Sequence, residues 1–200
     1  MLVPLQFRFK SLRAMSAVLA IAVLAGVCTP LLAQEPPVPN CGGTPPTPGK
    51  PFVSEDATAS VTVAGGTIDT HYNTPHMHGR KIMGCLVPYG QVWRTGANPA
   101  TILITSVPLK FGSLLVPAGS HTIYSLPSTD TWLLIINNQT GQWGLTYDQG
   151  KDLGRIPMKA KPMTAPQEVM SISFENTTAD STELHVRWET SDRYVVITKP

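Results

Sequence analysis

The segment Ser60–Tyr72 reads SVTVAGGTIDTHY and consists of two short alternating runs on either side of a glycine pair. Before the glycines, valine alternates with threonine; after them, Ile68, Thr70 and Tyr72 fall on one face of an extended chain. Alternation with period two is typical of a β-strand with one buried face, and glycines between two such runs are typical of a tight turn. The segment therefore predicts two short strands separated by a turn at the glycine pair.

The same alternation recurs along the chain. In ELHVRWE, Glu183–Glu189, we expect Leu184, Val186 and Trp188 to face the core and His185 to face solvent with its charged neighbours. Similar runs are TILIT, LKFGSLLVPAGSHTIYSL, TWLLIIN, EVMSISFE and RYVVITK. Each covers about 4–8 residues between turn residues, and no part of this region keeps a 3.6-residue apolar period. The sequence predicts an all-β fold: one antiparallel β-sandwich, jelly-roll-like or Greek-key.

The first 33 residues have the three-part layout of a secretory signal peptide. Arg8, Lys10 and Arg13 form a basic start, the run 14–27 is almost wholly apolar, and Ala33 is the small residue that a signal peptidase requires. The apolar run is shorter than the about 20 residues of a membrane-spanning helix. We expect cleavage after Ala33, and a mature chain that is periplasmic or secreted and has no membrane span.

Removal of residues 1–33 leaves 167 of the 200 residues (200 − 33), enough for one domain with a substantial core. Residues 34–53 are rich in proline, which cannot join a helix or a sheet interior, so we expect an extended tether before a single domain over residues 54–200. Three of the 15 Lys and Arg residues lie in the leader and none of the 13 acids do, which leaves 12 bases against 13 acids. This near-neutral balance excludes a nucleic-acid-binding protein.

The cysteines predict a disulfide. Cys28 leaves with the leader, so Cys41 and Cys85 are the two cysteines of the mature chain. An even number in an oxidising compartment favours pairing, which would join the tether to the loop before LVPYG. The alternative is two separate thiols.

Three histidines, His71, His76 and His78, lie close together in THYNTPHMHGRKIMGC. Imidazole near thioether and thiol groups suits zinc or copper. Such a site also needs a carboxylate a few residues on, where Ile82 and Met83 stand, or a further ligand from another strand. The sequence therefore predicts no metal and no other cofactor; a metal site of these three histidines is the alternative.

Motifs for catalysis are not apparent. The chain has no Gly-x-Ser-x-Gly elbow, and no pair of carboxylates is recognisable as suited to glycoside hydrolysis. A binding or structural protein is favoured over an enzyme. The alternative is an envelope hydrolase or a metal-dependent enzyme.

The segment Gly79–Thr101, GRKIMGCLVPYGQVWRTGANPAT, is long, glycine-rich and irregular, and loops of this length in a compact domain often carry function. Its cations and amides beside aromatic rings suit a carboxylate, a phosphate or a sugar. The candidate ligand site comprises Tyr72, Arg80, Lys81, Trp93, Arg94 and Asn98. The alternative is a structural plug, in which Trp93 packs over the end of the sandwich and Arg94 satisfies buried carbonyls or pairs with an acid.

Four stretches carry a family resemblance: YNTPHMHGRKIMGCLVPYGQVWRTGANPAT, VPAGSHTIYSLP, WLLIINNQTGQWGLTYDQGKDLGRIPM and ELHVRWE. They resemble a bacterial secreted family, domain of unknown function 2911, from about Glu55 to Thr198, and LVPYGQVWRTGAN is highly specific. The resemblance implies a signal peptide and one such domain, and no catalytic residue, because the family has no established activity. The chain departs from the family pattern at Cys85, His76 and His78, so the resemblance implies no family-wide metal or disulfide role.

These observations together predict an exported β-sandwich that binds a small molecule or glycan, or that serves as a structural module of the envelope. Its partners are unknown from the sequence.

Overall fold

The computed structural model describes residues 40–200. The expected leader with its cleavage after Ala33, and the tether up to residue 39, lie outside the described residues. In the described part, no helix has the length and apolar character needed to cross a membrane.

Within residues 40–200 the chain forms twelve strands and one 3-10 turn, Gln149–Lys151, with no longer helix. The strands are β1 (Glu55–Val63), β2 (Gly66–Thr74), β3 (Thr101–Thr105), β4 (Leu109–Phe111), β5 (Leu114–Val116), β6 (Gly119–Leu126), β7 (Leu133–Asn137), β8 (Asp152–Pro157), β9 (Lys159–Lys161), β10 (Gln167–Glu175), β11 (Ser181–Glu189) and β12 (Ser191–Thr198). The predicted all-β fold is confirmed.

The strands form two antiparallel sheets. The first has the order β1-β2-β3-β6-β7-β8, and the second has the order β10-β11-β12-β4-β5, with β9 also paired to β12. Apolar side chains of both sheets join one buried cluster, which includes Ile68 and Leu103 from the first sheet and Met170 and Leu184 from the second. The core therefore lies between the two sheets, as expected for a sandwich.

The two strands and the turn predicted from Ser60–Tyr72 are confirmed, and the two strands pair as a hairpin. β1 and β2 pair with Val63 opposite Gly66, and the two turn residues, Ala64 and Gly65, both have positive φ, 53° and 77°. Two-residue turns of this kind match the twist of the strands that they connect. The three residues expected on one face of β2 are all buried: Ile68, Thr70 and Tyr72.

In β11, Leu184, Val186 and Trp188 are buried as predicted, but the expectation that His185 faces solvent is wrong, because its side chain is fully buried. His185 lies on the outer face of the second sheet, where its Nδ1 is 2.7 Å from Asp192 Oδ1 and its ring stacks on that of Tyr194 at 4.8 Å. Alternation assigns a residue to a face of the sheet, but it does not show whether neighbouring side chains cover that face.

A disulfide between Cys41 and Cys85 fixes the described part of the tether to the long loop. Backbone bonds accompany it: the Lys81 amide donates to the Cys41 carbonyl at 2.7 Å, and the Thr44 amide donates to the His78 carbonyl at 3.1 Å. We call residues 41–53 the strap. The long loop, residues 75–100, contains only isolated bridges and no strand.

Candidate functional site

A cleft of about 440 Å³ opens where the strap, the long loop and the β7–β8 loop (residues 138–151) meet. This volume lies within the range of small-molecule sites, roughly 300–1,000 Å³. Most of the lining is apolar or aromatic, and it includes two arginines, Arg80 and Arg94, and no aspartate or glutamate. The cleft is therefore apolar with a net positive charge.

Trp93 and Trp188 line the cleft and form its floor. Their ring centroids lie 5.9 Å apart with an interplanar angle of 22°, and Trp132 meets the edge of Trp93 from behind at 6.5 Å and 90°. The Trp93 indole N–H donates to the Gly96 carbonyl at 3.1 Å. The floor is thus a packed aromatic surface without an unpaired indole donor at Trp93.

The backbone next to Arg94 is held in an unusual conformation. Thr95 is buried and has a φ of 53°, a value that a β-branched residue rarely adopts. Its hydroxyl lies 2.8 Å from Ser125 Oγ, its carbonyl accepts a 2.8 Å bond from Thr101 Oγ1, and Trp93 exchanges two 2.8 Å backbone bonds with Ser125. Strain of this kind persists only where the surroundings fix it, and such residues cluster at functional sites. The attachment to β6 therefore gives Arg94 a defined position.

Arg94 is a half-buried cation without a partner among the described residues. Its Nε is buried and has no hydrogen-bond partner, and no carboxylate of residues 40–200 forms an ion pair with it. Burial lowers the pKa of the Arg94 guanidinium. Buried charges normally have a counter-charge, so the arrangement is suited to an anion from outside the chain. The pairing with an acid that the structural plug invoked is not found in this region.

Arg80, on the long loop, lies in the wall of the cleft where the strap packs against that loop. Its Nε donates to the Met77 carbonyl at 2.9 Å and its Nη2 donates to the His76 carbonyl at 2.6 Å. The guanidinium lies 5.0 Å from the centre of the Phe52 ring, which stacks on His78 at 3.7 Å. The strap thus holds Arg80 by a cation–π contact while part of its guanidinium is left for a ligand.

Another part of the cleft wall is formed by Tyr124 and Tyr147, whose rings meet edge to face at 4.9 Å. The Tyr147 hydroxyl donates to Asp152 Oδ2 at 2.6 Å and accepts from Arg155 at 2.8 Å. Burial, together with the bond to Asp152, raises the pKa of Tyr147 to about 12, and burial also raises the pKa of Tyr124. Both phenols are therefore neutral at physiological pH and do not repel an anion.

Four of the six residues predicted for a ligand site line the cleft: Arg80, Trp93, Arg94 and Asn98. Tyr72 lies outside it, since its hydroxyl donates to the Ile172 carbonyl at 3.3 Å and accepts from the Ile172 amide at 3.0 Å within the core. Lys81 is exposed and also lies outside the lining.

Several lining residues were not found by the sequence analysis: Phe52, Tyr124, Gly144, Leu145, Tyr147 and Trp188. The sequence does contain a signal for three of them, Gly144, Leu145 and Tyr147. They lie in the aperiodic stretch GQWGLTYD, which combines glycines with aromatic residues between two strands.

The histidines of the alternative metal site do not form one. His71 is exposed on β2, His76 Nε2 lies 2.8 Å from Glu55 Oε2, and His78 stacks with His76 at 5.3 Å. In the part of the chain that the structure describes, no group of three or more His, Cys, Asp or Glu residues is placed to hold a metal ion.

Comparison with known proteins gives one family. The model of a family described as "Protein of unknown function (DUF2911)" matches residues 54–197. No curated protein and no solved structure matches the chain.

Proposed function

Because the chain belongs to the DUF2911 family, whose description states no activity, we propose from the cleft itself that this protein binds a small organic anion. The observation that carries the proposal is Arg94, a half-buried guanidinium in the lining of the cleft with an unpaired Nε and no carboxylate partner in the described region. A carboxylate or phosphate group in the cleft would neutralise the charge of Arg94, and the planar guanidinium suits both groups.

The rest of the lining supports an organic body behind the anion. The floor of Trp93 and Trp188 offers apolar and π surface, and the second cation, Arg80, adds to the positive potential. Two cations without an acid in a partly desolvated cleft favour an anion over a neutral molecule of the same shape. An inorganic ion alone would leave most of the apolar lining uncovered.

We infer the location from the leader-like residues 1–33. A basic start, an apolar run and a small residue at the cleavage position support export to the periplasm or the medium. In that location the protein would meet its ligand outside the cytoplasm, in the cell envelope or beyond.

The test uses benzoate and phenyl phosphate as probes, with benzyl alcohol as an uncharged counterpart. We expect wild type to bind both anions more tightly than the alcohol, and Arg94→Lys to weaken anion binding at least tenfold while the melting temperature changes by no more than a few degrees. Arg193→Lys is the matched control, because Arg193 is likewise partly buried without an ion pair in the described region but lies outside the cleft. Equal binding by wild type and Arg94→Lys would contradict the proposal, as would a large loss of stability without a loss of affinity.

A further inference from the structure

Most of the large exposed apolar side chains of the described region lie in the chain segments that contribute to the cleft. Of the seven, five lie in the segments that form it, and two lie elsewhere, on β3 and β5. The five, with their exposed fractions, are Leu145 (77%), Val53 (66%), Trp143 (54%), Tyr89 (43%) and Phe52 (37%). Single exposed hydrophobic residues are ordinary, but two of the five, Phe52 and Leu145, also line the cleft, and we call this pair the rim.

Leu145 and Phe52 are accessible both from the solvent and from the cleft, since both line the cleft while remaining exposed. Leu145 is held in place by its neighbours: the Gly144 amide donates to the Asn98 carbonyl at 3.1 Å, and the Thr146 amide donates to the Trp143 carbonyl at 2.8 Å. Leu145 thus adds an exposed apolar side chain to the same cleft that Trp93 and Trp188 line.

Because the cleft combines cations, an apolar lining and exposed apolar side chains, we propose that the ligand is a single-chain amphiphile, an alkyl carboxylate of the fatty-acid class. The proposal rests on the proposed function, because Arg94 supplies the contact to the carboxylate. The alkyl chain would run over the floor of Trp93 and Trp188 and leave between Phe52 and Leu145. The two arginines of the cleft suit the carboxylate, and the exposed apolar side chains of Phe52 and Leu145 suit the alkyl chain, whereas a compact anion would leave these two side chains exposed.

Chain length provides the test. We titrate the protein with butyrate, hexanoate, octanoate and decanoate below their micelle concentrations, and with 1-octanol as the uncharged counterpart. Burial of one methylene group increases affinity about fourfold. We expect the affinity to rise by about this factor per methylene from butyrate until the chain has left the cleft, and 1-octanol to bind more weakly than octanoate.

Leu145→Ser is the variant that tests the exit path, and Leu115→Ser on β5 is its matched control because Leu115 is 54% exposed and lies outside the cleft. We expect Leu145→Ser to reduce the affinity for octanoate and decanoate severalfold more than the affinity for butyrate, and Leu115→Ser to behave as wild type. Both positions are exposed, so both variants should fold, and their melting temperatures check this.

Three outcomes would overturn the inference. Affinity that does not change along the series, together with Arg94-dependent binding of benzoate, would refute the alkyl ligand and leave the proposed function standing. No Arg94-dependent binding of any anion would refute both. Binding to phosphatidylglycerol vesicles through Leu145, without binding of free octanoate, would show that the rim contacts a lipid surface instead of enclosing a monomeric ligand.

Discussion

The side chain of Arg94 crosses directly over Gly144, so closely that a methyl group on Gly144 would lie 2.1 Å from Arg94 Cδ and 2.6 Å from the Asn98 carbonyl oxygen. No side chain fits there, and the position of the guanidinium in the cleft therefore depends on the absence of a Cβ atom in a loop 50 residues further along the chain.

Gly144→Ala should displace Arg94 and weaken benzoate binding at least tenfold, with a stability loss of about 1–3 kcal/mol from overpacking. Titration with benzoate and chemical denaturation measure the two effects. Gly150→Ala is the control in the same loop, because a Cβ atom there would approach nothing nearer than Asp148 Oδ1 at 3.1 Å. Wild-type affinity in Gly144→Ala would show that Arg94 does not hold the ligand.

Trp93→Ala should reduce the free energy of unfolding by about 3 kcal/mol, the lower end of the range for buried aromatic residues, because Trp93 is half-buried between Trp188 and Trp132. Trp143→Ala is its control: Trp143 is 54% exposed, so the loss there should stay within about 0.5 kcal/mol. Urea denaturation of both variants provides the measurement, and similar losses would mean that the aromatic floor does not stabilise the fold.

Glu175 should make the fold sensitive to acid. The hydrogen bond from Arg187 lowers the pKa of Glu175 from 4.5 to about 2. Since the folded-state pKa lies below the unfolded value, the stabilisation is present above about pH 4.5 and is lost as the pH falls towards 2. Glu175→Gln should therefore be less stable than wild type at pH 7, and the difference should shrink across this window.

Denaturation curves at several pH values test this prediction. Asp180→Asn serves as the control, because Asp180 is exposed and forms no ion pair with the described residues. A difference between wild type and Glu175→Gln that does not change with pH would mean that the carboxylate is not stabilised in its ionised form.

Replacement of Cys41 and Cys85 by serine should cost about 4 kcal/mol of stability, the value that the chain-entropy model gives for a sequence separation of 44. Alkylation of the mature protein under denaturing, non-reducing conditions should label neither cysteine. Two labelled thiols, or a serine variant as stable as wild type, would show that the bridge does not form or does not constrain the chain.

The strands could be predicted from the sequence because apolar and polar residues alternate within a short run of residues, which is a local pattern. Ile68, Thr70 and Tyr72 were placed on one buried face by alternation alone, and the same principle located the core side of β11. The burial of His185 could not be predicted, because its cover comes from Asp192 and the ring of Tyr194 on the next strand.

The candidate site could be predicted only in part, because some of its residues come from strands and loops that are distant in the sequence. Arg80, Trp93, Arg94 and Asn98 stand out in one irregular segment, but the wall around Tyr147 reaches them through the pairing of β6, β7 and β8. Tyr72 was assigned to the site although its hydroxyl bonds to Ile172, a residue 100 positions away. Contacts between sheets depend on which strands become neighbours, and no local pattern records that.

The Cys41–Cys85 bridge separates the assembly of the cleft into two stages. The turn that carries Arg94 is tied to β6 by backbone and hydroxyl bonds, so it forms with the sandwich in any redox environment. Phe52, which packs over Arg80, belongs to the strap. Within the described region, the disulfide is the only covalent link between the strap and the long loop apart from the chain itself. In a chain with reduced thiols, only backbone hydrogen bonds and the contacts of Phe52 would hold the strap to the long loop, so oxidation of Cys41 and Cys85 would make this wall of the cleft more rigid.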